Sequence, residues 1–373
     1  MVYEPQEDSF LLKTFVQKYA KGVVLDMGTG SGIQALTAAK KKEVKKVVGV
    51  DIDPEAIKYA KKHSDHKLIT YLQGDLFSPF KSNRHKHFFD TIVFNAPYLP
   101  QEGKQKHIDL EGGKRGDEVI ERFLSEANNY VKSDGIILLV FSSLTPNVQQ
   151  HIDRNLFVGK ELGKKRHFFE DIYVYLIKKS QIIKSLGKKG VEEIEFFAKG
   201  KRGYVFTGDY KNKKVGIKVK NPKSTAEKTI TKEADMLKTV NEHGIGPKYI
   251  FHTTKFLVYE FVEGKYLKDL LDSKQIKNIC RKIFEQCYEL DLLHINKQEM
   301  TRPYKHVIVN KNKIILIDFE RAQKDKEAHN VTQFCQYVMA YVDKKNENKW
   351  IAAATKYAKD RSRKSFEKIL ELF

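Results

Sequence analysis

The segment VVLDMGTGSG (residues 23–32) constrains the fold of this chain more than any other stretch. Val23, Val24 and Leu25 begin a buried strand that ends in a loop holding Gly28, Gly30 and Gly32, and a helical stretch starts near Gln34. A glycine-rich turn between strand and helix brings backbone N–H groups and a helix N-terminus up to a ligand with no Cβ in the way. From Gly22 to about Ile177, strand-like apolar runs alternate with helical stretches: KKVVGVDID before PEAIKYAKKH, KLITYLQGD, FDTIVFNAPY before GDEVIERFLSEANNYV, then GIILLVFSS and DIYVYLIKK. This βαβα rhythm predicts an α/β domain whose sheet is covered by helices on both faces.

The loop does not fit a dinucleotide. A dinucleotide loop has GxGxxG spacing, its third glycine opening the helix, and here Ile33 stands where that glycine would fall. Asp26 lies in the mouth of the loop, where a carboxylate repels a pyrophosphate but accepts hydrogen bonds from an ammonium. That favours a ligand such as S-adenosylmethionine. Asp51, ending the strand in GVDID, offers two acceptor oxygens to a ribose, and Asp75 in QGDLF is placed to accept from the adenine amine. Three acids at successive strand ends mark the edge where open α/β sheets bind ligands.

The next strand ends in VFNAPYLPQ (93–101). Asn-x-Pro is ordinary turn chemistry, yet polar and aromatic groups at a buried strand's end also build sites. In this order, GVVLDMGTGSG, GVDID, the QGD step and NAPY resemble class I S-adenosylmethionine-dependent methyltransferases with a Rossmann-like sheet. YEPQEDSFLL (3–12), FNAPYLP and EGGKRGDEVIERFL are similar to the archaeal and eukaryotic branch of the HemK/PrmC group, which methylates the glutamine of the GGQ motif in class 1 translation release factors. The resemblance implies a seven-stranded sheet, an Asn-Pro-Pro-Tyr clamp for the methyl acceptor and a small zinc-binding activator of the Trm112 type. It places Asn95, Ala96, Pro97 and Tyr98 at the acceptor, with Asp26, Gly28, Gly30, Gly32, Asp51 and Asp75 around the cofactor. Glu7 and Asp8 are expected near the cofactor end.

Ala96 departs from the family's proline. An amide nitrogen is a poor nucleophile, so catalysis rests on position and polarisation. Asn95 Oδ1 and the carbonyl of Ala96 can each accept one N–H of the acceptor, and Tyr98 offers a face to a planar amide. Losing the proline ring sacrifices only roughly 0.4–1 kcal/mol of backbone stiffness. The same geometry suits the exocyclic amine of adenine, so a nucleic-acid N6-methyltransferase is an alternative, although such an enzyme needs to read a flipped base.

The 373 residues suit two domains, and 41% hydrophobic with 31% charged residues describes globular protein rather than disorder. No apolar run approaches a membrane span, and the acidic opening MVYEPQEDSF is unlike a secretory signal, so a cytoplasmic location is expected. Cys280, Cys287 and Cys335 have no CxxC spacing, which argues against a disulfide framework or an internal zinc site. The net charge of +20 is uneven: residues 1–180 hold 28 Lys and Arg against 23 Asp and Glu, whereas 181–373 hold 40 against 25. A basic second half fits contact with ribosome or tRNA, but a Lys-rich composition alone would look the same.

A methyltransferase domain over 1–178, a linker over 179–190 (KSQIIKSLGKKG) and a second domain over 191–373 are expected. The second domain opens with hairpins (FFAKGKRGYVFTGDYKNKKVGIKVKN), one helix (AEKTITKEADMLKTVNEHG) and the strands KYIFHTT and FLVYEFVEG, forming a small lobe over 191–262. A helical lobe follows over 263–373. Gly200 and Gly203 suit a loop over phosphates, Lys218 sits mid-strand, Glu233 lies on the lobe's helix and Asp318 follows the buried run IILI. A Lys–Glu pair orienting phosphates and an Asp holding Mg²⁺ are the parts of a protein-kinase-like phosphotransferase using ATP. Glu260 and Val262 fall in the inter-lobe hinge, whose backbone would pair with adenine.

GIGPK (244–248) and RPYKHVIV (302–309) resemble the small archaeal RIO-like and Bud32-like atypical kinases. The resemblance implies a two-lobed α+β domain, with Glu299 at the catalytic Asp, Lys297 at the preceding His, and His306 close to the metal-binding Asn. Asp318 and His306 are then the metal residues. Asp318-Phe319-Glu320 replaces DFG, no APE-like segment follows, and a platform for protein substrates is absent. ATP binding with slow hydrolysis or autophosphorylation is expected, the alternative being a pseudokinase that serves as an RNA- or ribosome-binding module.

Overall fold

In the computed structural model the described residues are 4–100, 112–167, 169–200, 203–220 and 229–373. They form two compact units, 1–196 and 197–373. The family-type signatures at Tyr3, at Gln101 and Glu111, and at Lys201 and Arg202 between the two loop glycines fall outside the described residues.

The first unit is built on a seven-stranded sheet. Its strands are β1 (Gly22–Met27), β2 (Val44–Asp51), β3 (Ile69–Gln73), β4 (Phe89–Asn95), β5 (Val131–Ser142), β6 (Phe157–Arg166) and β7 (Asp171–Lys179), in the order β3-β2-β1-β4-β5-β7-β6. β1 to β5 run parallel, and β7 lies antiparallel to both β5 and β6. The parallel strands are near-continuous runs of Val, Ile and Leu because helices cover both faces. One face buries Phe77, Phe94, Phe123 and Leu124, with α4 (Glu118–Tyr130) laid over it; the other buries Leu12, Val16, Ala35 and Ala38 beneath α1 (Glu7–Tyr19) and α2 (Ile33–Ala39). The chain runs outward from β1 to β3 and then returns to β4 on the other side of β1. That reversal opens a crevice at the strand ends where Met27, Asp51 and Asn95 stop.

The segment expected as a linker is instead mostly α6 (Gln181–Lys188). Ser180 caps it by accepting from the Ile183 N–H, and Ile183 and Leu186 are buried, so the lysines mark a solvated face rather than an extended tether. The division between units falls after Phe196, within the strand β8 (Val191–Lys199). β6, an edge strand of Lys and Gly with little alternation, has no counterpart in the sequence reading.

The second unit's five-stranded sheet has the order β11-β12-β10-β9-β8, with β9 (Gly203–Tyr210), β10 (Lys213–Lys220), β11 (Tyr249–His252) and β12 (Phe256–Glu260). β10 pairs antiparallel with β9 and β12, and α7 (Thr229–Asn241) contributes Ile230, Ala234 and Leu237 to the core beside it. The remainder is built around α8 (Ile276–Leu292), whose Phe284 packs on Phe334 and stacks on Trp350 with rings 9° from parallel. The short strands Val307–Asn310 and Lys313–Leu316 form a hairpin here, so this part is less purely helical than its sequence implies.

Asp26 fixes the glycine loop. It is 2% exposed, and its Oδ2 accepts from Thr29 Oγ1 at 2.6 Å and from the Ala35 N–H at 3.0 Å, in the first turn of α2. Gly32, at φ +79°, completes the turn; a Cβ there would lie 2.7 Å from Ser64 Cβ and from the Tyr71 hydroxyl. Asp26 is therefore a buried, loop-shaping carboxylate, a correction to its expected place in the open mouth. Burial pushes its pKa up to about 7, against the opposing hydrogen bonds from Thr29 and Ala35. Between the ordinary value and about 7 the folded chain holds a proton that the unfolded chain has released, so stability falls as pH rises through that window, by up to about 4 kcal/mol. Asp26→Asn keeps an acceptor for Thr29 and Ala35 but has no proton to lose. Calorimetric melts at pH 4.5 and 7.5 should show a smaller loss of stability for the variant; an equal loss would assign the pH dependence to other groups.

Candidate functional site

The crevice of the first unit assembles residues from three strand ends and α1. Asp51, at the end of β2, accepts from the Gly30 N–H through Oδ2 (2.8 Å) and from the Asp53 N–H through Oδ1 (3.0 Å). Each oxygen has a second lone pair, so the carboxylate can still receive a pair of hydroxyls. Burial raises its pKa. A Cβ at Gly30, φ +50°, would meet nothing within 4 Å, so the loop faces open space on the ligand side. Asp75 lies two residues beyond β3 and pairs with Arg122 Nη2 at 2.6 Å on the surface. This contact orients it without burying it.

Asn95 closes β4. Its Nδ2 donates to Asp8 Oδ2 at 3.0 Å and to Ser9 Oγ at 3.3 Å, while its Oδ1 is buried and has no hydrogen-bond partner among the described residues. The Tyr98 hydroxyl donates to the same Asp8 oxygen at 3.5 Å. Asp8 thus lies against Asn95 and Tyr98, and Glu7, one residue earlier, pairs with Lys165 and His167 on the surface. Gln34 Nε2 donates to the Ser9 carbonyl at 2.7 Å, tying α1 to the helix that follows the glycine loop. The clamp and the loop are therefore one connected body.

A second layer supports the segment Ala96 to Pro100. The Gly112 N–H donates to the Leu99 carbonyl at 2.8 Å, and Thr145 Oγ1 donates to the Tyr98 carbonyl at 3.2 Å. Gly116, at φ +92°, comes so close that a Cβ would lie 2.8 Å from the Tyr98 carbonyl oxygen. Asp117 anchors this turn: buried, it accepts from His151 Nε2 (2.9 Å), Asn147 Nδ2 (3.1 Å) and Arg115 Nε (2.8 Å). Burial alone would raise its pKa, but those donors hold it at about 2. The sequence reading used GGKRGDEV only as a signature. Its glycines and acid have a physical task, which is to let one turn lie against another.

The second unit has its own cleft, a cavity of about 630 Å³ that spans the sheet and the hairpin beneath it. Gly200, Gly203, Lys218, Glu233, Val262, Glu299, His306 and Asp318 all line it, whereas Glu260 does not. Glu260 ends β12, where its N–H donates to the Lys248 carbonyl at 2.8 Å. Lys218 Nζ sits 2.7 Å from Glu233 Oε2, 2.9 Å from Asp318 Oδ1 and 3.1 Å from Glu320 Oε2. Burial alone would lower the Lys218 pKa, but Glu233 and Asp318 hold it above its ordinary value. Asp318 is drawn down to about 2 against its burial, chiefly by Lys218. Its φ of +63° is a left-handed conformation seldom taken by such a residue.

Lys297 is fully buried and donates to the Asp318 carbonyl at 2.9 Å, with its ammonium 5.0 Å from the centre of the Phe319 ring. It holds Asp318 in place, a role that its position in KQEM did not reveal. Burial lowers the His306 pKa to about 4, so the imidazole is neutral near pH 7. Two groups in this cleft can hold a cation: Glu299, His306 and Asp318, and Glu233, Asp318 and Glu320. Lys218 already occupies the second.

Residues 7–169 match the methyltransferase small domain family. A Methanocaldococcus jannaschii protein provisionally named a protein N5-glutamine methyltransferase is 39% identical over 151 residues, which are 39% of this chain and 74% of that protein. The release factor glutamine methyltransferase of Koribacter versatilis is 34% identical over 128 residues, 31% of this chain and 45% of the relative, so the chain spans less than half the length of that protein. Among solved structures, the Mtq2–Trm112 complex of E. cuniculi, described as responsible for methylation of the eRF1 translation termination factor, is similar at 25% identity over 48% of this chain and 99% of that one, with a TM-score of 0.39. Through its first unit the chain belongs to the methyltransferase small domain family of S-adenosylmethionine-dependent enzymes, together with the protein N5-glutamine methyltransferases.

Proposed function

We propose that the first unit transfers a methyl group from S-adenosylmethionine to the side-chain amide nitrogen of a protein glutamine, the GGQ glutamine of a class 1 release factor. The observation that carries this reading is Asn95: its Nδ2 is tied to Asp8 and Ser9, which leaves the buried Oδ1 with no partner and ready to accept an N–H. The open space over Gly30 and the acceptor oxygens of Asp51 suit the cofactor's sugar and backbone-like end. When bound, the cofactor supplies an electrophilic methyl on a sulfonium. Asn95 Oδ1 orients the acceptor NH₂ and draws charge from its N–H as the nitrogen becomes cationic. The Tyr98 ring limits tilt of the amide plane, and the Gly112–Asp117 turn keeps both in register. A small zinc-binding partner of the Trm112 type fits this reading, and cytoplasmic translation is its setting.

For the second unit we propose binding of ATP with a divalent cation in a RIO- or Bud32-like, kinase-type cleft. The buried Lys218–Glu233 pair and Asp318 beside it support this reading. Ribosome or tRNA contact through its basic surface fits the charge asymmetry.

Incubation with labelled S-adenosylmethionine, a GGQ release factor and the zinc-binding partner should label the glutamine; label in an adenine-containing oligonucleotide and not in the factor would favour the nucleic-acid reading. Asn95→Ala should slow transfer by about 10²–10³-fold while cofactor affinity stays within a few-fold. Gly116→Ala, which displaces the Tyr98 carbonyl without touching the crevice, should slow transfer by roughly tenfold to 10²-fold. Unchanged turnover in both would remove the clamp from the mechanism. In the second unit, Lys218→Met should weaken a fluorescent ATP analogue about tenfold or more. It should also cost about 3–5 kcal/mol of stability, read from Trp350 fluorescence, because Glu233 loses its buried partner. Intact nucleotide affinity would argue for a binding module of another kind.

A further inference from the structure

The residues around Asp318 divide their oxygens in a way that the nucleotide reading does not require. Asp318 Oδ1 is held by Lys218 at 2.9 Å, and its other oxygen, Oδ2, lies 3.9 Å from His306 Nδ1. Glu299 repeats the pattern. Its Oε1 faces Arg321 Nη1 at 3.6 Å, and its Oε2 lies 3.2 Å from the same His306 nitrogen. Two carboxylates, each secured at one oxygen by a cationic side chain, thus bring their remaining oxygens together on one imidazole nitrogen. That nitrogen is buried and has no hydrogen-bond partner among the described residues, since the approach to Glu299 lacks hydrogen-bond alignment.

We propose that Glu299, His306 and Asp318 form a binding site for a divalent first-row transition metal, in which Glu299 is a metal ligand rather than the proton acceptor for a substrate hydroxyl. The three donor atoms lie within 4.8 Å of one another. Ligands at right angles around a metal with bonds of about 2.0–2.2 Å stand roughly 3 Å apart, so the Glu299–His306 separation fits as it is and Asp318 Oδ2 needs only a small rotation. Mg²⁺ prefers oxygen donors and retains its waters, whereas an imidazole nitrogen favours manganese, iron, cobalt or zinc over magnesium. The charge balance also calls for a cation: among the described residues Glu233, Glu263, Glu299, Asp318 and Glu320 face Lys218, Lys297, Lys305 and Arg321. Five carboxylates against four cationic side chains leave an excess of negative charge in a cleft proposed to take a polyanion. The inference builds on the phosphotransfer reading of this cleft, but the metal is measured without nucleotide, so the two can fail separately.

The test uses the full chain, stripped with a chelator and titrated with Mn²⁺ alone, with free Mn²⁺ followed by its electron paramagnetic resonance signal. One Mn²⁺ should bind per chain, at least tenfold tighter than Mg²⁺ in competition, and spin-echo modulation should show a directly bonded ¹⁴N. His306→Asn, which exchanges the nitrogen donor for an oxygen, should weaken Mn²⁺ at least tenfold, abolish the ¹⁴N coupling and narrow the preference over Mg²⁺. Glu299→Gln should weaken Mn²⁺ binding as well. Equal affinity for Mn²⁺ and Mg²⁺, or no nitrogen coupling in the wild-type chain, overturns the proposal; so does a folded His306→Asn variant that keeps the coupling. Should that variant fail to fold, the wild-type spectrum with ¹⁵N-labelled histidine decides, because the coupling must change isotope if a histidine is bonded.

Discussion

The first unit's chemistry depends on which way one amide faces. An asparagine amide is nearly symmetric in shape, so packing alone cannot choose between presenting its oxygen and presenting its NH₂. The choice is made by an acceptor: Asp8 Oδ2 takes Asn95 Nδ2 and leaves the buried Oδ1 without a partner among the described residues. Asp8 is itself positioned because α1 lies against α2 and the Ser9 carbonyl is tied to Gln34. An N-terminal helix that looks like a surface addition to the sheet is therefore what gives the clamp its polarity. Ala96 fits this arrangement. It is buried with the aromatic side chains under α4, where its methyl fills space and the flanking turn, rather than a proline ring, holds the backbone.

The second unit solves a different problem with the same means. An ammonium in a largely buried site is stable only if carboxylates surround it, and Lys218 has three. Glu320 is one of them, at the position where a DFG motif has glycine. That side chain gives Lys218 a third carboxylate partner, at 3.1 Å. Under the proposed nucleotide reading, a phosphate would compete with Glu320 as well as with water for Lys218. Lys297 adds rigidity by fixing the Asp318 carbonyl while the residue sits in a left-handed conformation.

What the sequence made legible follows from where the chain repeats simple patterns. The apolar runs of β1, β2, β4 and β5 and the glycine loop stand out because parallel strands are buried on both faces and a ligand loop must lack side chains. Asp51 and Asn95 stand out because each ends such a run, Lys218 because it interrupts one and Asp318 because it follows one, whereas Glu233 lies on a helix. The structure corrected positions that depend on side-chain direction. Asp26 is buried, Glu260 does not line the cleft, Asp8 reaches Asn95, and the lysine-rich stretch expected as a linker is mostly a capped helix. The bonds that Lys297 and His151 make are not legible for a related reason: a buried polar group bonded to one distant carbonyl or carboxylate leaves no periodic trace.

Both sites hold their polar groups in place with internal partners before any ligand arrives. Asp51 is bonded to Gly30 and Asp53, Asp26 to Thr29 and Ala35, and Lys218 to three acids. Such groups lose little conformational freedom on binding, which lowers the entropic cost of forming the complex. The consequence differs between the two. At Asp51 a ligand adds hydrogen bonds to oxygens that still have lone pairs, so preorganisation and affinity act together. At Lys218 a ligand must share an ammonium already satisfied by carboxylates, so preorganisation opposes affinity unless a cation offsets the acids. The first crevice leaves acceptor capacity open at Asp51, whereas in the second the ammonium of Lys218 is already shared among three acids.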